Sequence, residues 1–305
     1  MVNPAGNSNS PDANYNHMNR NKRIAIAQET LHIMENGIYR NNRNESVDIS
    51  GALQHAIANS IHYRPEDFTA VFAQRDQLLE TAPAFNTNIT VTGETTFGAA
   101  HRLIVEEGIR DVCCLNFASA KNPGGGFLGG AQAQEEALSR ASGLYVCLTS
   151  KQAMYDINRA NHTCLYTDNM IYSPLVPVFR NDHDALLDQP YNISVITAPA
   201  VNAGAVRNNE PQRLHEIAAV MLGRIEKLLS VAVVQKQTTL ILGAWGCGVF
   251  RNNAAEVAHW FAHHLQQNEI FKNAFSNVVF AVYESSEKAQ NLTAFKNKFQ
   301  YSEVS

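Results

Sequence analysis

Residues 112–145 read VCCLNFASAKNPGGGFLGGAQAQEEALSRASGLY. The apolar run 112–117 predicts a strand buried on both faces, the glycines after it predict a sharp turn, and the pattern over 133–145 predicts a helix. Working outward, the same order of strand, loop and helix returns toward the C-terminus. Residues 192–197 read as a buried strand, 211–229 as a long helix with proline in its first turn, and 238–242 as another strand. A glycine-bearing loop at 243–248 leads to a helix over 254–265 and a last strand over 278–283. Toward the N-terminus, 23–34 has helical spacing with Gly37 placed to stop it, and a second helix is expected over 49–61, before a polar turn at 63–66. A short strand at 88–92 and a helix at 96–107 complete the pattern. The chain around Pro174 and Pro177 fits a kinked or edge strand as well as an irregular loop. Strands separated by helices of this length predict a layered α/β domain with helices on both faces of a largely buried sheet.

The 305 residues carry 24 Lys and Arg against 28 Asp and Glu, a formal charge of −4, and 45% are hydrophobic. That excludes disordered, collagen-like and coiled-coil classes and argues against a chain built to neutralise nucleic-acid phosphates, so specific DNA or RNA binding is not expected. No apolar stretch approaches the roughly 20 residues needed to span a bilayer, and no apolar segment follows the basic residues near the start. A cytoplasmic location without membrane attachment is expected, with specialised export left open. Residues 1–20, rich in Asn, Ser, Pro and Gly, read as a flexible lead, and 21–305 as one domain. The cysteines, Cys113, Cys114, Cys147, Cys164 and Cys247, have no CxxC spacing, which predicts free thiols in a reducing compartment.

Two glycine-rich turns share a chemical task. Gly124, Gly125 and Gly126 follow a strand directly and let backbone amides approach a substrate; with Gly129 and Gly130 they can receive phosphate oxygens without a lysine. Three glycines alone would equally suit a plain surface turn. Gln134, Glu135 and Glu136 in the first turns of the next helix are the added feature, and adjacent carboxylates, about 100° apart around a helix, need not share a role. The ordinary reading of that pair is acidic enrichment at a positive helix terminus. The second turn, ILGAWGCGVFRNN at 241–253, places Gly243, Gly246 and Gly248 between strand and helix, where α/β folds bind ligands. Two such turns suit a paired clamp on one pyrophosphate. Phe250 is placed to cover a sugar or base and Val249 to shape the wall, although both are ordinary core residues as well.

Other chemistries fail on spacing. Neither turn is GxxxxGK[ST], 243–248 is not GxGxxG, and Cys247 sits in no nucleophile elbow. His259 and His263 share a helix face with Glu256, yet HExxH is absent, so no metal site is expected. No redox or other cofactor is implied.

With these residues in view, the sequence resembles the bacterial-type poly(ADP-ribose) glycohydrolases of the macrodomain superfamily. Gly124-Gly125-Gly126 followed after seven residues by Gln134-Glu135-Glu136, together with the later GAWGCGVF, carries the resemblance, which extends over roughly 21–305. It implies a three-layer macrodomain with a mixed central sheet and an N-terminal helical extension, whose cleft binds terminal ADP-ribose. It further implies hydrolysis of the ribose-to-ribose O-glycosidic bond at the end of poly(ADP-ribose), with the polymer or an ADP-ribosylated protein as partner and ADP-ribose as product. By that likeness Glu136 is catalytic and Glu135 positions the ribose. Gly124 to Gly126, and Gly246, Cys247, Gly248, Val249 and Phe250, match the diphosphate-contacting loops. Asn116 and Gln134 are further candidates for contacting the sugar or positioning the loop. Removal of single ADP-ribosyl groups from protein and non-catalytic ADP-ribose binding are the alternatives.

Overall fold

A computed structural model describes residues 19–284 and 288–300. Residues 1–18 of the expected flexible lead lie outside the described residues. Among the described residues nine strands form: β1 (Ile38–Arg40), β2 (Ser46–Asp48), β3 (Ile61–Tyr63), β4 (Asn88–Thr92), β5 (Val112–Phe117), β6 (Met170–Arg180), β7 (Leu186–Ala198), β8 (Thr239–Leu242) and β9 (Asn277–Ala281). The helices are α1 (Arg20–Asn36), α2 (Ser50–Ala58), α3 (Phe68–Thr81), α4 (Thr96–His101), α5 (Gln134–Ala141), α6 (Leu144–Thr149), α7 (Ala153–Ala160), α8 (Ala203–Asn209), α9 (Ile217–Val234), α10 (Ala254–Ala262) and α11 (Gln290–Phe299).

β1 and β2 form a small hairpin, and the other seven strands make one sheet in the order β3-β6-β7-β5-β8-β9-β4. From β7 to β4 the neighbours are parallel, while β6 and β3 run antiparallel at one side, which gives a mixed sheet. Alternation along each strand sends side chains to two cores. Leu115, Ile196, Leu240, Val278 and Phe280 meet Met221, Ile225 and Leu228 of α9 and Phe261 of α10. Val112, Cys114, Val195, Ile241 and Val279 meet Leu138 of α5, Leu144 and Leu148 of α6 and Met154 of α7. The result is the three-layer, macrodomain-like α/β architecture, with β5 buried on both faces at its centre.

Several expected helices are shorter because tertiary contacts interrupt them. The helix expected over 133–145 divides into α5 and α6. At the break Ser142 is extended and bridges Val178 of β6, Gly143 N–H donates to Pro177 O, and a Cβ on Gly143 would lie 2.5 Å from Leu53 Cδ1. The helix expected over 49–61 ends at Ala58, because Ile61 to Tyr63 pair with β6. Both 96–107 and 254–265 begin as α-helix and finish in a π-helical turn, and 211–229 begins with a 3-10 turn before α9, which runs on to Val234. The proline-bearing chain at 170–180 is neither an edge nor a loop. It is the interior strand β6, whose register shifts between Ser173 and Val176 around Leu175 at φ +48°, so that Pro174 falls within the irregularity. β1, β2, α3, α7, α8 and α11 carried no sequence expectation, and β3 takes the place of the expected helix end at 61 and the start of the expected turn at 63.

All five cysteines are free thiols, and Cys113, Cys114 and Cys147 are buried. No helix among the described residues is long and apolar enough to cross a membrane.

Candidate active site

The site is built from the C-terminal end of β5. Parallel pairing of β5 with β7 on one side and β8 on the other brings the segments after all three strands to the same end of the sheet. Gly243, the first residue after β8, packs so closely there that a Cβ would lie 2.9 Å from Phe117 Cζ and 2.6 Å from Ala281 O. The two glycine-rich turns predicted from sequence therefore leave the sheet side by side.

In the first turn, Gly124 (φ +67°) and Gly125 (φ +59°) occupy the left-handed region that favours glycine. Space makes a second demand at Gly125: a Cβ would stand 2.5 Å from Glu136 Oε1 and 3.1 Å from Glu135 Oε2. Both carboxyl groups thus converge on the backbone of the same glycine, although their side chains leave α5 in different directions.

Their environments differ. Glu135 is only 3% exposed. Its Oε2 accepts from Ser119 N–H at 2.6 Å and its Oε1 from Asn116 Nδ2 at 3.2 Å. Burial pushes its carboxyl up to about 8, an effect that the Ser119 and Asn116 hydrogen bonds oppose and the neighbouring Glu136 charge adds to. Glu136 is half-buried. Its Oε1 accepts from Gly126 N–H at 2.9 Å and its Oε2 from Ala133 N–H at 3.1 Å, so the carboxylate is strapped to the two ends of the turn 126–133.

Asn116 is fully buried on β5 and also donates to Thr197 Oγ1 of β7, with its Oδ1 unpartnered. Gln134 turns toward the strand. Its Oε1 accepts from Phe117 N–H, and its Nε2 donates to Leu115 O and Thr96 Oγ1, which fixes the start of α5 against β5. Asn116 thus holds Glu135, and Gln134 holds the helix that bears both acids.

The second turn, 243–251, is anchored by Trp245, which is fully buried and donates from Nε1 to Ala198 O at the end of β7. Gly246 (φ +75°) lies where a Cβ would meet Ala200 Cβ at 2.6 Å and Asn252 Nδ2 at 2.5 Å. Beyond it the turn opens: a Cβ on Gly248 would touch nothing, and Val249 is 81% exposed. Phe250 is half-buried against the Tyr166 ring, 5.9 Å between centroids. Burial pushes the Cys247 thiol up to about 12, with the Glu284 charge adding to it, which leaves an uncharged side chain in the turn. Ser119, Thr197, Trp245 and Tyr166 were not anticipated. Ser119 acts through its backbone and Thr197 through a strand pairing, neither of which leaves a local mark in sequence.

Among the described residues, no three His, Cys, Asp or Glu side chains gather as a metal site, and Glu256 and His259 of α10 and His263 just after it are exposed.

A family model described as microbial-type PARG, catalytic domain, matches residues 27–181, the span that contains the first turn and both carboxyl groups. The chain belongs to that family. Solved structures extend the likeness beyond that span. Poly(ADP-ribose) glycohydrolase from Thermomonospora curvata is 41% identical, over 92% of this chain and 100% of that one, with a TM-score of 0.84. The same enzyme bound to the inhibitor ADP-HPD gives 42% identity, the same coverage and a TM-score of 0.83. The Deinococcus radiodurans enzyme in complex with ADP-ribose is 45% identical over 84% of this chain and 100% of that one, with a TM-score of 0.77. A search of curated proteins gave no match.

Proposed function

We propose that this protein is a poly(ADP-ribose) glycohydrolase that cleaves the ribose-to-ribose O-glycosidic bond at the chain end and releases ADP-ribose. The observation that carries the reading is the convergence of Glu135 and Glu136 on Gly125, beside a second open glycine turn, in a member of the microbial-type PARG family. ADP-ribose, which the Deinococcus relative binds, is the ligand assigned to the cleft.

Each side chain has a distinct task. The N–H groups of 124–126 and of 246–250 receive the diphosphate, and Phe250 and Val249 wall the sugar. Glu135, held by Ser119 and Asn116, positions the ribose through the sugar's hydroxyls. Glu136 is the catalytic residue. In its acid form it donates a proton to the departing 2'-oxygen as the bond to C1'' breaks and the ribose gains oxocarbenium character. The resulting carboxylate then takes a proton from the attacking water, which restores the acid. The straps from Gly126 and Ala133 hold that carboxyl at a fixed height above Gly125.

Purified protein incubated with poly(ADP-ribose) is expected to release ADP-ribose. Glu136→Gln keeps one of the two hydrogen-bond acceptors but not the acid, and should lower kcat by at least about 10²-fold with ADP-ribose affinity largely kept. Unchanged turnover in that variant would remove Glu136 from the mechanism. Cleavage of mono-modified protein with negligible cleavage of polymer would move the substrate class, and tight ADP-ribose binding with no hydrolysis of either would make the domain a binding module.

A further inference from the structure

The turn that holds Glu136 has its other side gripped by arginines. Three consecutive carbonyls accept from three different guanidinium groups: Gly129 O from Arg20 Nε at 2.8 Å, Gly130 O from Arg23 Nε at 2.7 Å, and Ala131 O from Arg140 Nη1 at 2.9 Å. Arg23 also donates from Nη1 to Gln132 Oε1 at 2.9 Å, so it spans two neighbouring residues. Arg20 and Arg23 are one turn apart on α1, more than a hundred residues away in sequence. Contact is close enough that a Cβ on Gly130 (φ +71°) would lie 2.6 Å from Arg20 O and 2.9 Å from Ile24 Cγ1.

We propose that Arg23 is a positioning residue for Glu136, acting through the Gly130 carbonyl and the Gln132 side chain to set the geometry of the turn that straps the carboxylate. The proposal rests on Glu136 being the reacting acid. The residues whose N–H groups hold Glu136, Gly126 and Ala133, bracket the arginine-bound stretch on both sides. A peptide plane that turns its carbonyl toward α1 turns its N–H away from it. Fixing three carbonyls in a row therefore fixes the twist of the whole turn, and with it the direction of the two amides at its ends. Charge-assisted hydrogen bonds are suited to this because they are short and directional. The Arg23 bond to Gly130 is partly buried and is made together with a second one, whereas the Arg20 bond is exposed; Arg23 should carry the larger share. Arg140, 3% exposed and also paired with Asp184 at 3.6 Å, is too embedded in the core to serve as the clean probe.

The test compares wild type, Arg23→Ala, Arg23→Lys and Arg20→Ala in the full chain. Arg23→Ala is expected to lower kcat on poly(ADP-ribose) by about tenfold while KM and the Kd for ADP-ribose stay within about threefold, the pattern of a misplaced acid. Arg23→Lys should recover part of kcat, Arg20→Ala should lose less, and methylguanidinium at low millimolar concentration should restore part of the Arg23→Ala activity. Amide exchange at Gly126 and Ala133 should quicken in Arg23→Ala while exchange in β5 does not. A folded Arg23→Ala protein with wild-type kcat and wild-type exchange would overturn the proposal. So would a parallel loss of kcat, ADP-ribose binding and thermal stability with no methylguanidinium rescue, because that pattern is global destabilisation. Inactive wild type on polymer would sink the functional reading instead, and the exchange measurement would still decide whether Arg23 holds the turn.

Discussion

Glu135 is the residue at which burial and chemistry pull hardest against each other. It sits at 3% exposure beside a second carboxylate, and its value of about 8 lies well above the ordinary one near 4.5. The native state therefore keeps a proton that the unfolded chain has already released once pH passes the ordinary value. Its contribution to stability is complete below about pH 4.5 and declines as pH rises through 8, by at most about 1.4 kcal/mol per pH unit in between. Urea unfolding at a series of pH values from 5 to 8 should show that decline in wild type, and Glu135→Gln, which cannot titrate, should flatten it. Equal slopes in the two proteins would mean that Glu135 is ionised in the folded state. The sequence announced both acids through the spacing GGG to QEE. It could not tell which was buried, because that depends on Ser119 and Asn116 closing over one carboxyl and on Gly126 and Ala133 holding the other at the surface.

Among the elements, the second glycine turn is anchored by a buried indole at its start and by the Asn252 side chain, which donates to Val201 O and Gly246 O, at its end. Trp245 is enclosed between β7, α10 and the turn, with Phe261 packed against it at 6.4 Å and its N–H on Ala198 O. Trp245→Phe keeps a ring but removes the buried indole donor from that carbonyl, leaving it only the longer Ala118 N–H bond at 3.3 Å. It should lower unfolding stability by about 1–3 kcal/mol in urea titrations and weaken ADP-ribose binding more than it slows turnover of saturating substrate. A variant with unaltered stability and affinity would show that the turn holds its shape without the anchor. β5 was readable to the residue, since a short apolar run bounded by turns is what a buried parallel strand requires. β4, an edge strand in which only Val91 is buried, was readable from the alternation of Ile89 and Val91 with polar residues. α5 was read too long because helical spacing continues through Ser142 and Gly143, whose conformation is dictated by β6 and by Leu53 crossing above. β6 was obscured by its own prolines, which a bulge accommodates and a pattern of alternation does not.

For the molecule as a whole, the layers are tied together across the site. Arg224 of α9, 1% exposed, pairs with Asp168 at 2.8 Å and donates to Pro199 O and Leu165 O, which joins the helix to the segments on either side of β6 and β7. Burial alone would raise the Asp168 carboxyl, and Arg224 and Lys227 beside it hold it below its ordinary value. The fold class could be read from the alternation of strands and helices, but the strand order could not. Nothing local in 112–117 states that its two neighbours arrive about 80 and about 130 residues later.

That topology has a consequence for how the protein is made. A nascent chain that has emerged only as far as Asn181 already contains the whole GGG to QEE signature, yet β5 at that point has neither of its ladder partners and both of its edges are bare. Expression of residues 19–181 alone should give insoluble, inactive product, while 19–300 should be recovered folded; a soluble, protected 19–181 would contradict the order of assembly read from the sheet. The residues proposed for catalysis are thus translated early and their setting completed late, so that its correct formation waits on the last third of the polypeptide.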